Sequence, residues 1–193
     1  MSESSYTKRS VQQILQNRSY FESGKTFDDL TISMFTFSDI SLEYVSWLND
    51  SRHMQFSDQQ FKVHDLESSR RYVQSFEDTP NLFLKAVNSA GNMVATLTLY
   101  IDPEHRVHNC GILVNPKETR RGYGRKAWTA LTMEISPDLG ARKIVAGCVE
   151  SNQAMIRLLK ISKMDFEARL RAEKEYSGKS EDVLIYSRLV FKI

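Results

Sequence analysis

Long apolar runs are absent from this sequence. Nowhere do about 18 consecutive apolar residues occur, the length a membrane-spanning helix needs. Cysteine is scarce: Cys110 and Cys148 are the only two. Each sits inside an apolar, strand-like run, so they read as small buried hydrophobes and not as a disulfide framework. With four prolines and eight glycines in 193 residues, no Pro- or Gly-rich linker or low-complexity stretch is present. Charge of one sign is missing as well, since 26 basic residues face 24 acidic ones. A dedicated nucleic-acid binder would concentrate basic charge on one face, so that class is set aside. The first ten residues are polar and lack the apolar core of a secretory leader, which gives a cytoplasmic expectation. The four histidines and two cysteines show no metal-ligand spacing, and no metal is expected.

What remains is a globular mix, 41% apolar and 26% charged, long enough to bury one sizeable core. Residues 1–28 are rich in Ser, Gln and Lys and read as an N-terminal extension, partly helical at best; residues 29–193 read as one domain. Leu30 to Phe37 alternates imperfectly, as a strand does. Ser38 or Asp39 caps a helix carrying Tyr44, Val45, Trp47 and Leu48. His64-Asp65 opens a second helix, which Pro80 prevents from continuing. Strands at 82–87 and 93–101 flank the loop Asn88 to Asn92 and predict a hairpin. A third strand runs from about 109 to 114. A helix starting at Gly122 presents Ala127, Trp128, Leu131 and Ile135 on one face and ends at Pro137 and Gly140. Lys143 to Val149 is a strand, Asn152 to Lys163 a helix, and 169–191 two strands. The fold expected is a single α/β (α+β) domain, with a mixed, mostly antiparallel sheet flanked by helices.

The segment from Cys110 to Trp128 carries the chemical information. A strand leads through the basic loop Asn115 to Arg121 into Gly122-Tyr123-Gly124 and then directly into a helix. Amides at a helix start lack partners and attract phosphate oxygens. Gly122 and Gly124 carry no Cβ to hold a pyrophosphate away from the backbone, and Arg120, Arg121, Arg125 and Lys126 surround it with positive charge. It is no Walker loop, because no Gly-Lys-Ser/Thr follows. Nor is it the dinucleotide Gly-x-Gly-x-x-Gly, because position 127 is alanine. By itself such a loop is also compatible with a tight turn and a cap.

Thr119-Arg120-Arg121-Gly122-Tyr123-Gly124 resembles the acyl-CoA-binding motif Gln/Arg-x-x-Gly-x-Gly/Ala of the GNAT acetyltransferases, with Thr119 departing at the first position. Asn152-Gln-Ala-Met155-Ile-Arg157 resembles the Asn-initiated last helix of that family, although Lys163 and Met164 stand where Gly and Phe are usual. Tyr44 to Asp50, and Glu173 to Leu189, are similar to the branch holding ribosomal-protein N-terminal, spermidine and amino-sugar acetyltransferases. The resemblance implies acetyl-CoA as cofactor. Ile112, Leu113 and Val114 would offer main-chain groups to its pantetheine arm. Thr119, Arg120, Arg121, Gly122, Tyr123, Gly124 and Arg125 would hold the pyrophosphate, and Asn152 would contact the arm. Trp47, Asn49, Asp50 and Phe56 would lie near the acceptor entrance. The tyrosine acid of many relatives is replaced by Leu159. Candidate bases are Glu150, at a strand exit, and His108, at the start of the facing strand, because amine acylation needs a route for the amine's proton. The function expected is acetylation of a primary amine on a small metabolite, such as an amino sugar or polyamine. A protein N-terminal acetyltransferase and a non-catalytic CoA-binding module are the alternatives. No nucleic acid or membrane partner is expected, and a homodimer is left open.

Overall fold

The computed structural model describes residues 7–176 and 178–190. Residues 1–6 of the extension and Phe191, at the end of the last expected strand, lie outside them. One eight-stranded sheet organises the chain, in the order β1-β2-β3-β4-β5-β6-β8-β7. Its strands are β1 (Lys25–Phe27), β2 (Leu30–Met34), β3 (Leu82–Asn88), β4 (Met93–Asp102), β5 (Val107–Val114), β6 (Lys143–Val149), β7 (Asp165–Tyr176) and β8 (Lys179–Leu189). Every neighbouring pair is antiparallel except β5 and β6. The expected mixed, mostly antiparallel sheet is present, with one strand more at its start.

The two faces of the sheet are covered differently. On one face, Leu30, Ile32, Leu84, Leu97, Leu99, Ile144 and Ala146 form the main core. They pack against Ala127, Trp128 and Leu131 of the helical run that begins with α4 (Tyr123–Thr129) and against Ile156 and Leu159 of α6 (Gln153–Ile161). Trp128 is 1% exposed, and its indole Nε1 donates to Ser162 Oγ at 3.0 Å, so burial leaves no polar atom orphaned. On the other face a smaller aromatic cluster joins Phe35, Phe83, Tyr44, Trp47, Val73 and Phe76. It is supplied by α2 (Leu42–Leu48) and α3 (Leu66–Gln74), each started by a side-chain cap: Ser41 Oγ accepts from Tyr44 N, and Asp65 Oδ1 from Ser68 N.

Two elements depart from the reading of the sequence. Lys8–Phe21 is a complete helix, α1, started by Thr7, whose Oγ1 accepts from Ser10 N. Its sequence signal is weak because few of its positions are apolar. Docking stabilises it instead: Phe21 is buried in the main core, and the buried Asn17 donates from Nδ2 to the Pro80 carbonyl at 2.6 Å. Pro137 also does not end its helix. The run widens into a π turn at Ala130–Ile135, continues as α5 (Ser136–Asp138), and stops before Gly140, whose φ of +89° is left-handed. The Arg188 guanidinium donates from Nη2 to the Thr132 carbonyl in that widened turn at 2.7 Å. It satisfies an acceptor there.

Candidate active site

The sheet opens along one seam. β5 and β6 pair only at Val107↔Lys143, His108↔Ile144 and Asn109↔Val145. Beyond that point β5 stays bonded to β4 as far as Val114↔Ala95, and β6 to β8 as far as Val149↔Val183. The two strands therefore part while each keeps one satisfied edge. Ile112, Leu113 and Val114 lie on the parted half of β5, with a main-chain edge that has no strand beside it. An unpaired backbone edge at a cleft is a ready hydrogen-bonding partner for an amide-bearing ligand.

Carrying the parallel register on by two residues sets Gly111 opposite Gly147. Alternation along the strands puts both on the face that α2 and α3 cover, away from the main core. The surroundings are tight at both glycines, and more so at Gly111. A Cβ on Gly111 would collide with Thr98 Oγ1, and one on Gly147 would lie 3.0 Å from Ile185 Cδ1. The seam thus splits at the place where both strands lack side chains on that face. This pair escaped the reading of the sequence, and its signal was there: one glycine inside each of two otherwise apolar strands.

The loop before α4 lies at the wide end of the split. Arg120 and Gly122 both adopt left-handed backbone, φ +63° and +87°, and Gly122 is the N-cap of α4. Nothing lies within 4 Å of the place where a Gly122 Cβ would be. The first bond of the helix runs from Lys126 N to Gly122 O at 3.1 Å, leaving the amides of Tyr123, Gly124 and Arg125 without helical acceptors. Gly124 lets α4 approach β5, since a Cβ there would meet Val114 Cγ2 at 2.9 Å. The cations expected around this loop divide. Arg121 pairs with Glu118 at 3.2 Å, and Lys126 is drawn off to Asp28 and Asp29 at 3.0 and 2.7 Å. Arg120 and Arg125 are exposed and have no ion-pair partner among the described residues. Thr119 closes the turn by donating to the Pro116 carbonyl, and Tyr123 Oη accepts from Asn88 Nδ2. Asn152 caps α6, its Oδ1 accepting from Met155 N at 3.0 Å. The donor set fits an anionic pyrophosphate: free amides, uncovered glycine and two unpaired guanidinium groups.

Both expected bases are displaced. His108 is 1% exposed and lies in the core, its Nδ1 2.8 Å from Ser136 Oγ. Burial pushes its pKa down to about 4, so the ring is neutral at pH 7. Alternation turned it to the main-core face, since it lies opposite Ile144. Glu150 lies one residue past the end of β6. Its carboxylate is paired with Arg169, which also binds Asp182 at 3.1 Å. His108 does not lie on the face that carries the glycine pair, and the Glu150 carboxylate is engaged by Arg169. Cys148 is no more reactive, its thiol pushed up to about 11 by burial.

The expected acceptor residues are also largely structural. Trp47 is 3% exposed inside the aromatic cluster. Asn49 ties α2 to the start of α3, donating to the His64 carbonyl at 2.8 Å and accepting from His64 N at 2.9 Å. Asp50 Oδ1 accepts from the amides of Arg52 and His53 and shapes that turn. Phe56 is half-buried in the same loop. The loop meets the β7–β8 hairpin, because Asp58 binds Lys174 Nζ at 2.6 Å and Tyr176 Oη at 3.0 Å, while Phe61 stacks on Tyr176.

Solved structures with this architecture are numerous. Spermidine N-acetyltransferase from Vibrio cholerae, solved with CoA and spermine, has a TM-score of 0.75 and 17% identity, over 83% of this chain and 95% of that one. The acetyltransferase from Salmonella typhimurium that modifies the N-terminal serine of ribosomal protein L7/L12 has a TM-score of 0.72 and 18% identity, over 85% and 96%. Ribosomal-protein-S5-alanine acetyltransferase from Vibrio fischeri has a TM-score of 0.74 and 12% identity, over 86% and 96%. No curated protein sequence matches significantly. At these identities the likeness is one of fold. Residues 43–164, which include most of the aromatic cluster, the parted seam, the glycine loop and α6, match the acetyltransferase (GNAT) family, and the chain belongs to it.

Proposed function

We propose that this protein transfers the acetyl group of acetyl-CoA to the primary amine of a small metabolite. The observation that carries the proposal is the parted β5–β6 seam, with a free backbone edge and an anion-binding loop at its wide end and the Gly111–Gly147 pair at its apex. When bound, acetyl-CoA supplies a thioester carbonyl open to attack by an amine. The edge of β5 from Ile112 to Val114 holds the extended arm of the donor by main-chain bonds. The amides of Tyr123 to Arg125, with Arg120 and Arg125, neutralise its phosphates. Gly111 and Gly147 leave room for the amine on the opposite face, within reach of the seam. No carboxylate or imidazole occupies the positions that flank the glycine pair, namely Thr98, Asn109, Leu113, Val145 and Val149. The amine's proton therefore passes to water, and the leaving thiolate takes its own from water, because Leu159 holds the position of the usual tyrosine and is fully buried. Family members with CoA and amine ligands support the donor and the reaction class.

The test is a paired measurement on wild type and Gly122→Asp. A carboxylate at residue 122 would enter the uncovered space beside the free amides and repel phosphate. Acetyl-CoA should raise the melting temperature of wild type by several degrees and that of the variant by less than one. Wild type should release CoA thiol with at least one amine in a panel of amino sugars, polyamines and N-terminal peptides. Equal stabilisation of the two proteins removes the cofactor site, and stabilisation without any release leaves a binding module.

A further inference from the structure

On the face that carries Gly111, β4 presents Thr96, Thr98 and Tyr100. Thr98 lies directly opposite Gly111 on one side and opposite Phe83, of the aromatic cluster, on the other. The three hydroxyl-bearing side chains have different fates. Thr96 is 3% exposed beside Lys85, whose ammonium is held by Asp39. Tyr100 leans on α3 and the turn after it, with its ring 5.8 Å from that of Phe76 and its hydroxyl 3.3 Å from Tyr72 Oη. Thr98 is half-buried. Its hydroxyl has no hydrogen-bond partner among the described residues and is not sealed from solvent.

That free hydroxyl is aimed. Thr98 Cβ lies 3.8 Å from the position a Cβ on Gly111 would take, and Oγ1 is nearer by the full length of a C–O bond. The Cβ–Oγ1 bond therefore points from β4 directly over the Gly111 main chain, at the residue where the seam parts. Only a residue without a side chain lets the oxygen lie there. The other side chains beside the glycine pair on this face offer less. Leu113, Val145 and Val149 are apolar. Asn109 is polar and exposed, but it stands one step back along β5, where the seam is still paired.

Resting on the acetyl-transfer reading above, we propose that Thr98 Oγ1 is the group that receives the acceptor amine. It accepts one N–H of the neutral amine and so turns the nitrogen lone pair toward the thioester carbonyl in the seam. The lone pair forms the new C–N bond. The C–S bond breaks with its electron pair left on sulfur, the extra proton on nitrogen passes to water, and the thiolate takes a proton from water. As the C–N bond forms, the nitrogen becomes positive and its N–H a stronger donor, so the bond to Thr98 tightens in the transition state. A threonine hydroxyl is no base at neutral pH. Its part is to orient the amine and to stabilise the charge that develops on it.

Thr98→Val keeps the shape of the side chain and removes its oxygen, Thr98→Ala removes the oxygen without setting a methyl group against Gly111, and Thr98→Ser keeps the oxygen. The probe amines are glucosamine, spermidine and a peptide with an N-terminal serine, at saturating acetyl-CoA. For an amine that wild type acetylates, Thr98→Val and Thr98→Ala should each lower kcat by about tenfold, with a smaller change in KM. Thr98→Ser should retain most of the wild-type rate, and Asn109→Ala should lose less than about threefold. The rise in melting temperature with acetyl-CoA should be the same in Thr98→Val and wild type, which separates this role from packing and from donor binding. Wild-type kcat in both oxygen-free variants, or a larger loss in Asn109→Ala than in either, overturns the assignment while leaving the transferase intact. A wild type that acetylates none of the amines removes both.

Discussion

The two halves of β5 share one strand and differ in every other respect. From Val107 to Asn109 the strand is bonded on both edges, and its inward residue, His108, is sealed in the core. From Cys110 to Val114 it is bonded on one edge only, and its open face carries Gly111. The first half is fixed on both edges, and the second keeps one edge for other partners. A free backbone edge is tolerable only where something else supplies its hydrogen bonds, which is why the proposed donor site is placed on the parted half. The difference also explains why His108 is sealed: in a strand, a residue's face is decided by parity, and His108 has the parity of the core.

The comparison breaks most sharply at the apex. Gly147→Val would place two methyl groups on the open face where the seam parts, against Ile185 and the space the amine needs. A reacting group displaced by about 1 Å loses on the order of 10²-fold in rate, so kcat/KM should fall by at least that much. Stability should suffer little, because the Ile185 side-chain end can yield. Near-wild-type turnover in Gly147→Val would move the acceptor away from the glycine pair.

The rigid half has its own signature in pH. His108 titrates near 4 in the folded chain and near 6.5 when unfolded. Between those values the unfolded state binds the extra proton. Its contribution is therefore complete above pH 6.5 and is lost as pH falls toward 4. From pH 7.5 to 4.5 that single group should remove roughly 2–3 kcal/mol of stability. Urea midpoints of wild type and His108→Gln at the two pH values test this. The loss attributable to position 108 should disappear in the variant, and identical pH slopes would show that the imidazole is not sealed. Activity near neutral pH should respond only through stability, since the ring faces away from the acceptor.

Much of this was legible in the residues and some was not. The strand–loop–helix from Cys110 to Trp128 could be read because phosphate-binding loops have a local grammar of glycine, unpaired amide and basic charge. Most strands and the antiparallel sheet could be read from apolar runs and the loops between them. The helix at Lys8–Phe21 could not, because its stability comes from long-range contacts such as Asn17 to Pro80 and not from its own periodicity. The burial of His108 could not be read because a one-residue shift in a strand's register reverses its faces. The glycine pair was hidden because its meaning depends on two strands, separated in sequence by a whole helix, lying side by side. Thr98, which sets the need for Gly111, belongs to a third.

The smallest effect expected concerns the bridge that crosses the open face. Asp58 in the loop before α3 holds Lys174 and Tyr176 of β7, and hydrogen bonding to Lys174 draws its carboxylate pKa below the usual range. The pair is exposed, with the Asp58 side chain at 54% and Lys174 at 37%, so water and salt screen most of the attraction. Asp58→Asn should therefore cost less than about 1 kcal/mol, a shift in melting temperature of no more than about 3 °C in a chain of this size. Because the folded pKa lies below the unfolded one, even that contribution is present at neutral pH and fades as pH falls through the carboxylate range. Raising the salt concentration should shrink the difference between wild type and variant further. A loss of several kcal/mol that salt leaves untouched would mean that the bridge is a structural clamp, and that the open face is as rigidly held as the sealed one. The contrast between the halves of β5 would then reside in hydrogen bonding alone, and not in how firmly their surroundings are fixed.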